Sequence, residues 1–242
     1  MPEDSNPLIR ALSRRDQLSA EERGILSEIV SRERTFAAGE EIVREGSTPT
    51  ESCLILEGFA ARSNLLGDGK RQLSALHVAG DFIDLHSLLL RTMDHSVVAL
   101  TQCRIGLVPH RSLMQVTLAS PHLTRLLWMI TVIDAAAHRA WVVGLGRRSP
   151  LQRLAHLLCE VFLRLQAVGL TQDRAFHFPI TQQQIADMMG VSLVHVNRTL
   201  QELRGTGFIS WREQTVTISN WERLQELAEF DPTYLSLEKQ PR

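Results

Sequence analysis

The stretch from Pro179 to Ile209, "PITQQQIADMMGVSLVHVNRTLQELRGTGFI", constrains this chain more than any other part of it. Thr181 and Gln184 stand at capping-box spacing, so a helix starts near Gln182 and carries Ile185, Ala186 and Met189 on one face. It has to stop at Gly190. Ser192 then caps a second helix whose Val196, Leu200 and Leu203 point inward. A connection of only about three residues prevents the helices from lying antiparallel and makes them cross steeply, with Ala186 at the crossing and Gly190 in the turn. This is a helix-turn-helix arrangement, in which the second helix is the one that enters a DNA major groove.

Val194, His195, Asn197 and Arg198 lie off the apolar stripe of that second helix. Arg198 suits a bidentate bond to guanine and Asn197 a pair with adenine, while Val194 can meet a thymine methyl and His195 can donate to a base or phosphate. Thr181, Gln182 and Ser192 sit at helix starts, where hydroxyls and free backbone amides favour phosphate. Beyond them, "GFISWREQTVTISN" offers two strands around the polar tip Arg212 to Gln214, which is a wing. Eight arginines face five acidic residues between Arg147 and Ser219, although the whole chain has a net charge of -1. The local excess, rather than the total, fits a DNA-contacting unit.

The remainder predicts an α+β chain. Ser19 and Glu22 open a short amphipathic helix within residues 18–31. From Thr35 to about Val108, short strands separated by glycine turns imply an antiparallel β-roll of jelly-roll type, with a hairpin tipped at Gly67 to Lys70. Leu123, Leu126, Ile130, Ile133, Ala137, Ala140 and Gly144 recur at spacings of three and four, a heptad seam that predicts a long homodimerisation helix. A further helix carries Leu151, Leu154, Leu158, Phe162 and Leu165 inward. The expected division is a roll over 1–118, a dimer helix over 119–146 and a winged helix-turn-helix over 147–242. Cys53, Cys103 and Cys159 lie far apart without a CxxC pair, so the spacing marks no metal site. No apolar run is expected to span a membrane and the N-terminus has no secretory pattern, which predicts a cytoplasmic protein.

The order of parts resembles the Crp/Fnr family of bacterial transcription regulators. The helix-turn-helix stretch carries the resemblance, together with "HVAGDFIDLHSLLL" and "DHSVVALTQC", which fall where the family has its cyclic-nucleotide phosphate cassette. It implies a homodimer on a palindromic promoter site in double-stranded DNA, acting with RNA polymerase, and an effector pocket drawn from Gly80, Asp81, Phe82, Asp84, His86, His95 and Ser96. The cassette normally has Gly-Glu followed later by Arg-Ser, whereas here Gly80-Asp81 and His95-Ser96 stand in those places. A neutral imidazole does not replace a bidentate guanidinium, which argues against a cyclic nucleotide. No cysteine precedes Cys53, which argues against the family's N-terminal iron-sulfur cluster. His86 is placed where some members hold haem, although haem needs a second ligand and a roomy pocket. The oxygen-sensing branch tends to have glutamate at Val194, so its usual operator is not implied. The competing reading is a small-molecule sensing module that works through protein contacts. No catalytic motif points to an enzyme.

Overall fold

The computed structural model describes residues 6–241. Two helices, α1 (Pro7–Ser13) and α2 (Ala20–Glu28), precede seven strands: β1 (Arg32–Phe36), β2 (Glu41–Val43), β3 (Glu51–Glu57), β4 (Ala60–Leu65), β5 (Arg71–His77), β6 (Ser96–Ala99) and β7 (Cys103–Pro109). They form two antiparallel sheets, ordered β1-β7-β3 and β2-β6-β4-β5. The β4–β5 hairpin turns at the expected tip. Phe36, Ile55, Ala60, Val97, Cys103 and Ile105 from both sheets fill the space between them. Gly58 makes the turn from β3 to β4 at φ 94, where an added Cβ would lie 2.3 Å from the Gln102 carbonyl oxygen, so only glycine fits.

The outer faces of the two sheets serve different partners. Leu54, Leu56 and Val108 pack with α1, α2, α3 (His110–Ala119) and the start of α4 (Pro121–Arg147). Phe59, Ala61, Leu73 and Leu76 instead pack with the C-terminal domain, in one core with α5 (Pro150–Ala167), α6 (Gln182–Met189) and α7 (Leu193–Gly205). A third sheet, β8-β10-β9, joins β8 (Ala175–His177) to the wing strands β9 (Ile209–Arg212) and β10 (Thr215–Ile218), and α8 (Trp221–Ala228) closes the domain.

Two expectations about α4 need correction. Leu123 and Leu126 are fully buried in their own subunit's core, with Ile130 and Ile133 packed against it. Ala137 and Ala140 are half-buried and line clefts against the rest of the subunit, and Gly144 is buried near Arg148 and Arg153. The three-four spacing selected an apolar face correctly, but periodicity alone does not say whether that face meets its own roll or a second chain. A different apolar stripe is exposed: Trp128 (68%), Val132 (50%), Ala135 and Val142 (55%), again at alternating spacings of three and four, with Arg139 between them. The second correction concerns apolarity. Among the described residues α4 is long and apolar enough, by length and composition, to cross a membrane, contrary to the expectation that no segment would be. Its inner face packs on the roll and its Asp134 pairs with Arg62, so it is one layer of this fold.

The first turn of α4 is pinned to the N-terminal arm. His122 lies 2.6 Å from Glu22 and 3.3 Å from Asp16. Burial opposes the charged ring, but bonds to both carboxylates outweigh it and raise the His122 pKa, while Glu22 is lowered in spite of its own burial. A raised histidine stabilises the fold fully below its ordinary pKa of 6.5, and the contribution is lost as pH rises through the folded value. Stability should therefore fall between neutral and mildly alkaline pH by on the order of 1 kcal/mol. Urea titrations of the wild type and His122→Gln check this; the slope with pH should flatten in the variant, and an unchanged slope contradicts the assignment.

Candidate nucleic-acid interface and effector pocket

Both caps of the helix-turn-helix form as the side chains require. The Thr181 hydroxyl accepts from the Gln184 amide at 3.2 Å while Gln184 Oε1 accepts from the Thr181 amide at 2.8 Å. Gly190 ends α6 in the left-handed region at φ 63, and Ser192 accepts from the His195 amide to start α7. Val196, Thr199, Leu200 and Leu203 are buried beneath α7. Thr181, Gln182, Ser192, Val194, His195, Asn197 and Arg198 are all exposed, Val194 at 79%. The structure therefore places all seven residues on open surface, at the starts of α6 and α7 and along the outer edge of α7. The wing follows, with Thr215 opposite Arg212 and Glu213 at the tip in positive φ.

This domain is bolted to the roll. Arg71 on β5 pairs with Asp187 on α6, with Nε 2.8 Å from Oδ2. Gln72 donates to the Met188 carbonyl and Gln184 to the Leu100 carbonyl. Deeper in, Arg164 on α5 donates to the Leu76 carbonyl and to the carboxylates of Asp81 and Glu160. Glu160, 1% exposed, also accepts from Trp141 Nε1 at 3.0 Å and from the Tyr234 hydroxyl at 2.7 Å. Burial disfavours the Arg164 charge, yet Asp81 and Glu160 more than restore it. One buried cluster thus joins the roll, α4, α5 and the C-terminal tail.

The residues named for an effector pocket are divided by the fold. Phe82, His86 and His95 line a cavity of about 370 Å³ between the roll and α4, together with Arg62, Asn64, Ser74, Asp94, Asp134 and His138. Gly80 and Asp81 line an adjoining, smaller cleft that shares Phe82 and Asp134 with the cavity, and Asp81 is held there by Arg164 and the Val78 amide. Asp84 turns away and accepts from the Cys53 amide at 2.6 Å, with burial pushing its carboxyl up to about 7. Ser96 faces outward, accepting from the Glu45 amide and donating to Glu41. Arg62, which the sequence reading passed over, sits at the centre of the pocket: its Nε donates to His95 Nε2 at 3.2 Å and its Nη2 lies 2.9 Å from Asp134 on α4. Burial lowers the pKa of both His86 and His95, and the Arg62 charge adds to it.

Two family models match, a cyclic nucleotide-binding domain over residues 33–120 and a Crp-like helix-turn-helix domain over 152–227. The chain is 27% identical to the transcriptional activator protein FnrL of Cereibacter sphaeroides over 202 residues, covering 81% of this chain and 79% of that protein. It is 27% identical to the nitrogen fixation regulation protein FixK of Bradyrhizobium diazoefficiens over 194 residues, covering 80% of each. The solved structure of FixK2 from Bradyrhizobium japonicum superposes with a TM-score of 0.72 at 25% identity, covering 81% of this chain and 96% of that one. The chain belongs to the Crp/Fnr family of transcription regulators. As in that family, an antiparallel roll, a long helix and a C-terminal helix-turn-helix follow one another, an α+β architecture read correctly from the sequence. Relatives in this Crp/Fnr set are regulators rather than enzymes.

One signal could have revealed Arg62. It shares a strand face with Ala60, a core residue of the roll, so the β4 alternation directs it inward. Asp134 carried no comparable mark, because its meeting with Arg62 depends on the packing of α4 against the roll, whereas Asp94 meets His95 simply as its neighbour in the chain.

Proposed function

We propose that two copies of this chain associate along the exposed stripe of α4 and read a two-fold DNA site with paired α7 helices. The observation that carries the reading is the outer edge of α7, with Val194, His195, Asn197 and Arg198 solvent-exposed on a helix whose opposite face is fully buried. Crp/Fnr-type regulators bind DNA and act as dimers, which supports the pairing. Trp128, Val132, Ala135 and Val142 form the seam, in place of the set from Leu123 to Gly144, whose members are buried or half-buried in their own subunit. Thr181, Gln182 and Ser192 hold phosphates, and Arg198 with Asn197 reads base edges. The roll (1–118), the helix (119–146) and the DNA-binding unit (147–242) act as sensor, coupler and reader, the complex forms in the cytoplasm, and it recruits or blocks RNA polymerase at promoters.

Control by a cyclic nucleotide is disfavoured in this reading. The cassette's acidic anchor, Asp81, is already engaged by Arg164, and the cation in the pocket, Arg62, is committed to His95 and Asp134. The alternative, a sensing module acting only through protein contacts, leaves the exposed α7 edge without a role.

Arg198→Ala tests the assignment. Fluorescence anisotropy on a selected promoter fragment should show a loss of about 1–3 kcal/mol and relaxed preference at one base pair of each half-site. Wild-type affinity should also fall steeply with salt. Equal binding by variant and wild type, or salt-independent binding, would reject the interface.

A further inference from the structure

We infer that His86, Asp94 and His95 form a binding site for a divalent transition-metal ion, and that occupation of the site is read by the Arg62–Asp134 pair on α4. The fold brings one ligand atom from each of the three residues within 4.8 Å of the other two. His86 comes from the 3-10 turn Leu85–Leu88, whereas Asp94 and His95 precede β6, so the single connection between β5 and β6 carries all three. Two imidazoles and a carboxylate are a donor set suited to zinc, nickel, iron or copper rather than to calcium or magnesium. His86 Nε2 is buried and has no hydrogen-bond partner among the described residues, a group that an ion would satisfy. The rings of His86 and His95 lie 5.2 Å apart between centroids, and both border the 370 Å³ cavity, which leaves room for water or a small ligand to complete the coordination shell. Asp94 is 79% exposed at its side chain and can swing inward, bringing one negative charge; Asp134 offsets the charge of Arg62.

The link to α4 follows from hydrogen-bond chemistry. Arg62 Nε can only donate, so His95 Nε2 must be the bare acceptor, and His95 Nδ1 carries the proton that faces Asp94 Oδ1 at 2.7 Å. An ion taken on Nε2 uses that lone pair directly. An ion taken on Nδ1 displaces the proton, and a neutral ring then carries it on Nε2, where it meets the Arg62 donor head-on. By either nitrogen, Arg62 loses His95 as a partner. Its remaining anchor is Asp134 on α4, the helix that also carries the exposed stripe's Val132 and Ala135. The ion therefore shifts how the roll holds the helix that we place at the dimer seam. This consequence rests on the dimer reading; the site itself does not.

Metal binding is measured first, without DNA. Chelator-treated full-length protein is titrated with Zn(II) by calorimetry and with Co(II) by absorption. One ion per chain is expected, with d–d bands of nitrogen and oxygen ligation for Co(II), and affinity at least about tenfold weaker in both Asp94→Ala and His86→Gln. The first of these alters an exposed side chain, so it keeps the test valid if the second misfolds. No binding, unchanged affinity in the variants, or a haem band in freshly purified protein would overturn the site. The second arm measures promoter affinity with and without Zn(II). A change in the wild type that disappears in Asp134→Asn, while Zn(II) still binds, supports the coupling; a change that persists there refutes it. If Zn(II) binds as expected but no form of the protein binds DNA, the failure lies with the proposed function and not with the metal site.

Discussion

Val132→Asp is expected to leave the chain folded but monomeric, and to weaken binding to a two-fold DNA site by at least about a hundredfold. Val132 is half exposed in the isolated subunit, so an aspartate there stays solvated and should change the stability of the fold by no more than about 0.5 kcal/mol. In a seam built on Trp128, Val132, Ala135 and Val142, the same substitution places two carboxylates near each other in a drying interface. That costs several kcal/mol, of which only part returns through solvation after separation. The DNA effect follows because a single chain engages one half-site and gives up the linked second contact. Sedimentation velocity and anisotropy on the same sample check both parts. A variant that remains dimeric would move the interface elsewhere, for instance to the β4–β5 hairpin tip.

Glu160→Ala should cause the largest loss of stability among single polar substitutions, about 3–5 kcal/mol, or a fall in Tm of about 10 °C. The carboxylate accepts from Trp141, Tyr234 and Arg164, so its removal leaves two neutral donors and one buried guanidinium short of a partner. Asp81 continues to hold Arg164, which keeps the loss finite. Glu160→Gln should fall between the two, since an amide oxygen still accepts from Trp141 or Tyr234 but brings no charge to Arg164. Thermal unfolding followed by circular dichroism measures this. A loss below about 1 kcal/mol in Glu160→Ala would mean that the cluster is solvated and does not join the domains.

The contrast between these two residues shows what the sequence carries. The caps at Ser19, Thr181 and Ser192, the turn at Gly190 and the wing are local: each depends on residues three or four apart, and each is legible from spacing alone. The exposed edge of α7 is likewise the complement of its apolar stripe. Glu160 and Arg164, four apart on α5, have the spacing of a solvated surface pair, yet α5 lies between the roll and the winged domain and both side chains are enclosed. No local pattern announces that a helix has neighbours on both sides. The same reason explains the seam: α4 is apolar around most of its circumference, so the periodicity had two solutions and the roll took the one chosen. The pocket was half legible. His86 and His95 stand in the stretch whose residues resemble the family's cassette, but Arg62 arrives from β4 and Asp134 from α4.

Hydroxyl-radical footprinting of the wild-type protein on genomic fragments that it selects is the most direct measurement of the central claim. Paired α7 helices predict an inverted repeat with two protected patches on one face of the duplex, their centres about 34 Å or one helical turn apart. A single protected patch, or patches without two-fold symmetry, would contradict it.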